Sequence, residues 1–474
     1  MADVPAEKSA GFKIEQRGID LIPDAERTMK PSGLFWLWAG AVFNVEFFFY
    51  GTLIMTFGLS VPQAIAAIVV GNLFYALLGF ASLQGPKTGT TAFMVSRAPF
   101  GHNGNRLVAL FNWCTQVGFE IEGLFFVVAT VILLFSLHGT ALGTPAKIGV
   151  IIVAALLQMI VPLLGHAAIS KLLRYLAYLF IAFFAVLAGF IGDRLHLSTF
   201  HAKPVTFAVW TTALVLLISV GGLGWTENGN DYSRYLPRTT PPSRTFWAAA
   251  LGGAIPSAIL ELLGVLAFTI GGKEVGIAQI GVPQTFPSWF VTPFLIFAVL
   301  QLLAVNTIDM YSSGVTLQAL GLPVRRWGAV IIDTVVSAAV TGIIVFHGDF
   351  YKDFAGFLLY IVVWLAPWFG ILMTDFLLRH GRYDAPSLAV PRGGLYWRNG
   401  GLHWPALIAQ AIGMVAALMW INAADDIPAY IGPLSSHFPG IYGADFSWAL
   451  GISVGALVYW VLAAGGVRAE ATRS

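Results

Sequence analysis

The chain has 474 residues, of which 57% are hydrophobic and only 11% charged, with a net charge of +2. A soluble domain carries about 25% charged residues, so this composition excludes an ordinary water-soluble protein of this length. The near-neutral balance gives no footing for nucleic-acid binding, and the single cysteine, Cys114, excludes an intrachain disulfide.

In chain order, the first 33 residues are polar and mixed in charge, without the apolar core of a cleavable signal. Apolar runs of about 20 residues then repeat between short polar loops, the mark of a polytopic helical membrane protein. They predict spans at 34–59, 61–83, 107–137, 146–165, 172–193, 205–226, 245–271, 287–321, 326–346, 355–379, 403–422 and 446–465. No short alternating segments of a β-barrel are present. Twelve spans put both termini on one side. All but five of the 26 lysines and arginines, namely Lys147, Arg194, Lys203, Lys273 and Lys352, also fall on that side. Basic loops stay cytoplasmic, so both termini are expected in the cytoplasm and the protein in the plasma (inner) membrane. The bias supports the count, because one missed helix would swap every later loop.

Spans three and eight are unusually long. Spans one and six carry polar or glycine-rich interruptions, GAVFNVEFF (Gly40–Phe48) and GGLGWTENGND (Gly221–Asp231). If the first ten spans are two sets of five, these features occupy matching places. Interrupted helices at equivalent positions point to a transporter site built on inverted repeats. Glycines at 221, 222 and 224 also suit plain close packing of helices, and both readings stand. Several carboxylates lie at membrane depth: Glu46, Glu120, Glu122, Glu261 and Asp309. An acidic residue at a helix centre costs about 2.5–3.5 kcal/mol on insertion scales. Burial favours the neutral form of a carboxyl, which suits a group that takes up and releases a proton. Such a group can equally face a cationic substrate, help hold Na⁺, or serve as a structural partner of a hydroxyl or carbonyl. Asp333 and Asp375 sit near span ends and read as interfacial, while Asp231 reads as part of a gate or as the partner of a loop arginine in a salt bridge.

Four stretches together resemble one family. They are GPKTGTTAFMVSRAPFG (Gly85–Gly101), TQVGF (Thr115–Phe119), NDYSRYLP (Asn230–Pro237) and WLWAGAVFNV (Trp36–Val45). They are similar to the signature loop, the span-three contact stretch, the end of span six and the first helix of the purine–cytosine permeases, the first nucleobase–cation symporter family. The resemblance implies an all-α LeuT-like fold of two five-helix inverted repeats plus two C-terminal helices. Its divisions would be a cytoplasmic segment 1–33, repeats at 34–193 and 205–379, accessory helices within 403–465, and a cytoplasmic tail 466–474. It implies uptake of a small planar heterocycle from the bilayer's outer side, driven by H⁺ or Na⁺, with no cofactor.

A planar base is held by stacking on aromatic faces and by hydrogen bonds to its edges. Phe119 stands where the family's stacking Trp occurs, and Gln116 where an amide reads the base edge. Gln116, Phe119 and Glu120 share a helical face by spacing. In span six, Gly222, Gly224 and Trp225 fall in the stretch where the family contacts substrate, with Trp225 as a second aromatic face. Asn44 in span one and Asn306 in span eight complete the expected substrate set. The family's sodium-coupled members place adjacent hydroxyls on span eight. A gapless match sets Ala304 and Val305 there, and neither side chain offers oxygen to a hard cation. The stretch LLAVNTIDMYSSG instead carries Asp309. Proton coupling is therefore the expectation, with Asp309, Glu46 and Glu120 as carriers in that order. The rival cargoes are hydantoins or allantoin with Na⁺, or a cationic, vitamin-like ring. A non-transporting receptor for such a ligand is the alternative class. No P-loop terminus, H-E-x-x-H or nucleophile elbow supplies enzyme chemistry.

Overall fold

The computed structural model describes residues 18–164, 166–195, 204–271, 286–348, 350–424 and 428–472. Of the basic residues used for orientation, Lys8, Lys13, Arg17, Lys203, Lys273 and Arg473 lie outside them.

The apolar runs fold as helices because lipid leaves no other way to satisfy backbone polar groups. The first span is two helices, α1 (Pro31–Val42) and α2 (Val45–Thr56), bent by 53° at Phe43 and Asn44. The second is a run of α3 (Val61–Leu73), α4 (Tyr75–Ala81) and α5 (Gln84–Thr88). Two short helices, α6 (Ala92–Val95) and α7 (Arg97–Phe100), lead to α8 (Asn105–Leu137), α9 (Thr144–Leu164) and α10 (His166–Arg194).

The sixth span is again broken. It runs as α11 (Phe207–Val220), an irregular glycine stretch, a 3₁₀ turn at Gly224–Asn228 and the single turn α12 (Gly229–Ser233). Then come α13 (Pro242–Gly271), α14 (Ser288–Leu320), α15 (Arg326–His347) and α16 (Phe350–Leu378). After a surface turn of helix, α17 (Ala385–Ala389), the chain ends in α18 (Trp404–Trp420) and α19 (Ser447–Ala471). Among the described residues, eleven helical stretches are long and apolar enough to cross a membrane, and the bent pair α1–α2 makes twelve. The layout is the one expected, although α19 runs past residue 465, where the sequence suggests a tail.

The two 33-residue helices α8 and α14 lie along each other at the centre. Next to them α2 packs on α13 without intervening side chains. A Cβ on Gly51 would come within 2.0 Å of the Glu261 carbonyl oxygen, and one on Gly264 within 2.0 Å of that of Phe48. Small residues at such crossings let helices associate where lipid offers no hydrophobic drive. The accessory helices α18 and α19 pack on α16.

The Gly85–Gly101 segment, expected as a loop, is instead wound into α5–α7 and sunk into the protein. Phe93, Met94, Val95, Ala98 and Phe100 are each at most 2% exposed. Its polar groups are met from outside: Ala92 N–H donates to Asp231 at 3.0 Å, and Trp368 Nε1 to Ser96 Oγ at 3.0 Å. Arg97 donates in turn to the carbonyls of Leu388 and Ala319, each at 3.0 Å. Asp231 thus takes the backbone of this segment as its partner.

Candidate substrate site

The break in span one is built by Asn44. Its Oδ1 accepts from the N–H groups of Glu46 (2.7 Å) and Phe47 (3.4 Å), capping α2. Its Nδ2 donates to the Ala41 carbonyl at 2.7 Å, closing α1, and to Glu46 Oε2 at 3.2 Å. One amide therefore serves both helix ends, which would otherwise leave backbone groups orphaned. The Phe43 carbonyl, also freed by the bend, accepts from Gln301 Nε2 of α14.

In span six the helix stops at Gly221 (φ −103°, ψ −127°). Gly222 packs against span two, where a Cβ would lie 2.0 Å from the Phe74 carbonyl carbon. A Cβ on Gly224 would lie 2.0 Å from the Ser219 carbonyl oxygen. Only glycines let the chain double back here, and the turn that follows throws Trp225, Glu227 and Asn228 inward.

The two breaks meet at a cavity. It is lined by Glu46, Phe47 and Tyr50 of α2, Phe119 and Glu122 of α8, Val220, Gly224, Trp225, Glu227 and Asn228 of span six, and Asp309 of α14. Its lining leaves about 390 Å³ not filled by atoms, part of it open to solvent. It is also contracted, since the centre of a water molecule can roam through only about 20 Å³ of it, the room of roughly one water. Tyr50 donates to Glu122 Oε1 at 2.7 Å. Gln116 Nε2 donates to Glu227 Oε1 at 2.6 Å and Asn228 Oδ1 at 2.7 Å. Among the described residues nothing donates to Asp309, which is 6% exposed. Trp225 meets Trp38 edge-on (5.5 Å, 70°), and Phe119 meets Phe357 edge-on (5.3 Å, 79°). These contacts hold both rings in place.

Of the residues singled out from sequence, Phe119, Gly224, Trp225, Glu46 and Asp309 line this cavity together. Gln116 stands behind Glu227, and Asn44 behind Glu46. Gly222 is a packing residue. Asn306 turns away, donating to the Glu120 carbonyl (3.1 Å) and Gln158 Oε1 (3.0 Å). Glu120 also lies outside the lining. Its Oε1 meets Ser313 Oγ at 2.8 Å, and the same hydroxyl lies 2.8 Å from Asp333 Oδ2. Asp333 further accepts from Trp113 Nε1 at 2.7 Å and is fully buried. It is part of the core, as is Asp375, which pairs with buried Arg379 at 2.8 Å. Their interfacial reading is corrected on that ground. Glu261 accepts from Asn72 (2.7 Å) and Ser257 (2.9 Å) in a separate structural cluster. Tyr50, Glu122 and Glu227 are site residues that spacing did not bring forward. Tyr50 is four positions after Glu46 and Glu122 three after Phe119, so helical periodicity held the signal.

Two broken spans around an enclosed, aromatic and acidic cavity, within twelve membrane helices, define a secondary transporter of the LeuT-like type. Comparison with known proteins gives the family. The family model described as "Permease for cytosine/purines, uracil, thiamine, allantoin" matches residues 21–451. A putative purine-cytosine permease of Bacillus subtilis (strain 168) is 28% identical over 95% of this chain and 96% of its own. The purine-cytosine permease of Emericella nidulans is 26% identical, over 96% and 89%. Among solved structures, Mhp1, a nucleobase-cation-symport-1 family transporter closed on a bound bromovinylhydantoin, superposes with a TM-score of 0.75. That match has 17% identity over 97% of this chain and 100% of the other; inward-facing Mhp1 gives 0.69 at 18% identity, over 97% and 96%. At such identity these structural likenesses speak for the fold. The chain belongs to the cytosine/purine permease family, and it is a multi-pass membrane transporter rather than an enzyme.

Proposed function

We propose that this chain imports a nucleobase or related small planar heterocycle by proton-coupled alternating access. The observation that carries the reading is the cavity where both helix breaks meet, with Phe119 and Trp225 as aromatic walls and Asp309 as a buried carboxyl that no donor among the described residues serves. A flat ring stacks on the walls. Glu227 and Asn228, held by Gln116 behind them, read its edge.

Three features favour H⁺ over Na⁺. Ala304 and Val305 are buried and offer no side-chain oxygen. The carbonyl freed at Phe43 is already taken by the Gln301 amide. Asp309, which no protein donor serves, is the kind of carboxyl that binds a proton when the cavity closes. Asp309 is the first carrier, Glu46 the second. Glu120, shared with Asp333 through Ser313, is the third candidate and acts at a distance from the cargo. Two five-helix repeats, 34–193 and 205–379, rock against each other around the site, with both termini in the cytoplasm and the protein in the plasma (inner) membrane.

Proteoliposomes test this. A pH gradient, acid outside and without Na⁺, is expected to drive accumulation of radiolabelled cytosine or another nucleobase. Asp309→Asn is expected to abolish accumulation and to leave exchange of internal for external cargo in place. An absolute requirement for Na⁺ would overturn the coupling. Failure to move any planar heterocycle would overturn the cargo.

A further inference from the structure

The cavity is one-sided in charge. Four acidic side chains, Glu46, Glu122, Glu227 and Asp309, reach its lining, and no lysine, arginine or histidine does. Three of them hold a protein donor: Asn44 on Glu46, Tyr50 on Glu122 and Gln116 on Glu227. The fourth, Asp309, holds none among the described residues. Glu227 is itself only half satisfied, because its Oε2 has no hydrogen-bond partner although the residue is 1% exposed. Gln116 Oε1, on the side chain bonded to Glu227, is likewise buried without a partner. The site thus offers spare acceptors on Glu227, Asp309 and Gln116, against a single spare donor, Trp225 Nε1, among the described residues.

A ring edge made of carbonyl oxygens would set lone pairs against these acceptors. An edge of N–H groups satisfies them, and positive charge on that edge makes the bonds charge-assisted. The aromatic walls Phe119 and Trp225 also favour a cation over their faces. We propose that the cargo is a planar heterocycle bearing positive charge on an N–H edge, of the aminopyridinium or amidinium type, and that Glu227 is the side chain that pairs with it. This rests on the reading of the cavity as a heterocycle carrier and narrows it.

The assignment to Glu227 follows from position. It sits in the 3₁₀ turn two residues after Trp225, its Oε1 fixed by Gln116 at 2.6 Å, with Oε2 left over. Asp309, which no donor among the described residues serves, is the carboxyl left for the coupling proton. Cargo charge and coupling proton then fall on different carboxyls.

The test is binding to the purified full-length protein by calorimetry at one neutral pH. The probes are two pairs that differ by a ring nitrogen: 4-aminopyridine against aniline, and 4-aminoquinoline against 1-naphthylamine. The first member of each pair is protonated at neutral pH and the second is not. Cytosine serves as the neutral nucleobase. The cationic member is expected to bind about ten- to a hundredfold more tightly, as a bond to a charged group implies. Glu227→Gln is expected to bring the ratio near one, and Asp309→Asn to leave it in place. Glu227→Asp, which keeps the charge, is expected to preserve the ratio at weaker affinity and controls for misfolding. Equal or tighter binding of the neutral members, or a ratio unmoved in Glu227→Gln, overturns the proposal. Binding of cytosine without preference for the cations overturns the cationic cargo and leaves heterocycle transport standing. Absence of binding by every planar ring overturns both.

Discussion

Asn44 shows how a transporter tolerates a broken helix in lipid. With its oxygen on the N–H groups of Glu46 and Phe47 and its nitrogen on the Ala41 carbonyl, it fills both cut ends. Asn44→Ala is expected to lower stability by about 1 kcal/mol, as loss of an N-cap does, and Asn44→Ser to recover most of it; thermal unfolding in detergent micelles reads both. Gln301→Leu should do comparable harm by orphaning the Phe43 carbonyl, on the order of 1–3 kcal/mol for a buried group left unpaired. Much of this was legible in the sequence. An amide and a carboxylate in GAVFNVEFF marked the break, and the surplus of buried acids marked the cavity. Glu227 was harder to place, because it lies toward the cytoplasmic end of span six, and only the 3₁₀ turn brings it back against Gln116. Asp333 and Asp375 read as interfacial because hydropathy gives depth along a helix and not direction. Their partners, Trp113 and Ser313 for one and Arg379 for the other, come from distant parts of the chain. The same limit separates Glu120 from Glu122. Spacing lets Glu122 share a face with Phe119 and Glu120 one with Gln116, and only the packing of α14 and α15 draws Glu120 toward Ser313.

The contact of α2 with α13 connects packing to the site. Gly51 and Gly264 bring the two backbones together, and α2 carries Tyr50, just before Gly51, and Glu46, a turn further back, into the cavity. Gly51→Val would drive a branched side chain into the Glu261 carbonyl. It is expected to cost about 1–3 kcal/mol and to reduce uptake, because α2 cannot move off α13 without carrying the acidic wall with it. Glu261→Gln is a useful contrast. That carboxyl has two protein donors and lies outside the cavity, so gradient-driven accumulation should survive the change even where thermal stability falls. The twelve spans could be drawn from apolar length and the distribution of basic residues. The course of Gly85–Gly101 could not. Its glycines, proline and polar residues read as a loop, yet they form turns of helix buried by donors and acceptors from Asp231, Trp368 and the chain near Leu388. Burial of such a segment depends on groups far away in sequence, which local pattern does not contain.

Taken together, the fold surrounds one small chamber with the two interrupted spans on one side and the paired long helices α8 and α14 on the other. Cargo the size of a nucleobase needs more room than one water, so these walls must part to admit it and close again behind it. The narrowness has a further effect. A continuous thread of water from one face to the other would let protons through without cargo, and the site itself has room for about one water. Vesicles loaded with the protein but given no cargo should therefore keep an imposed acidity difference about as long as protein-free vesicles, as an entrapped pH-sensitive dye would report. A proton-coupled carrier shut this tightly when idle would not squander the cell's proton supply between meals.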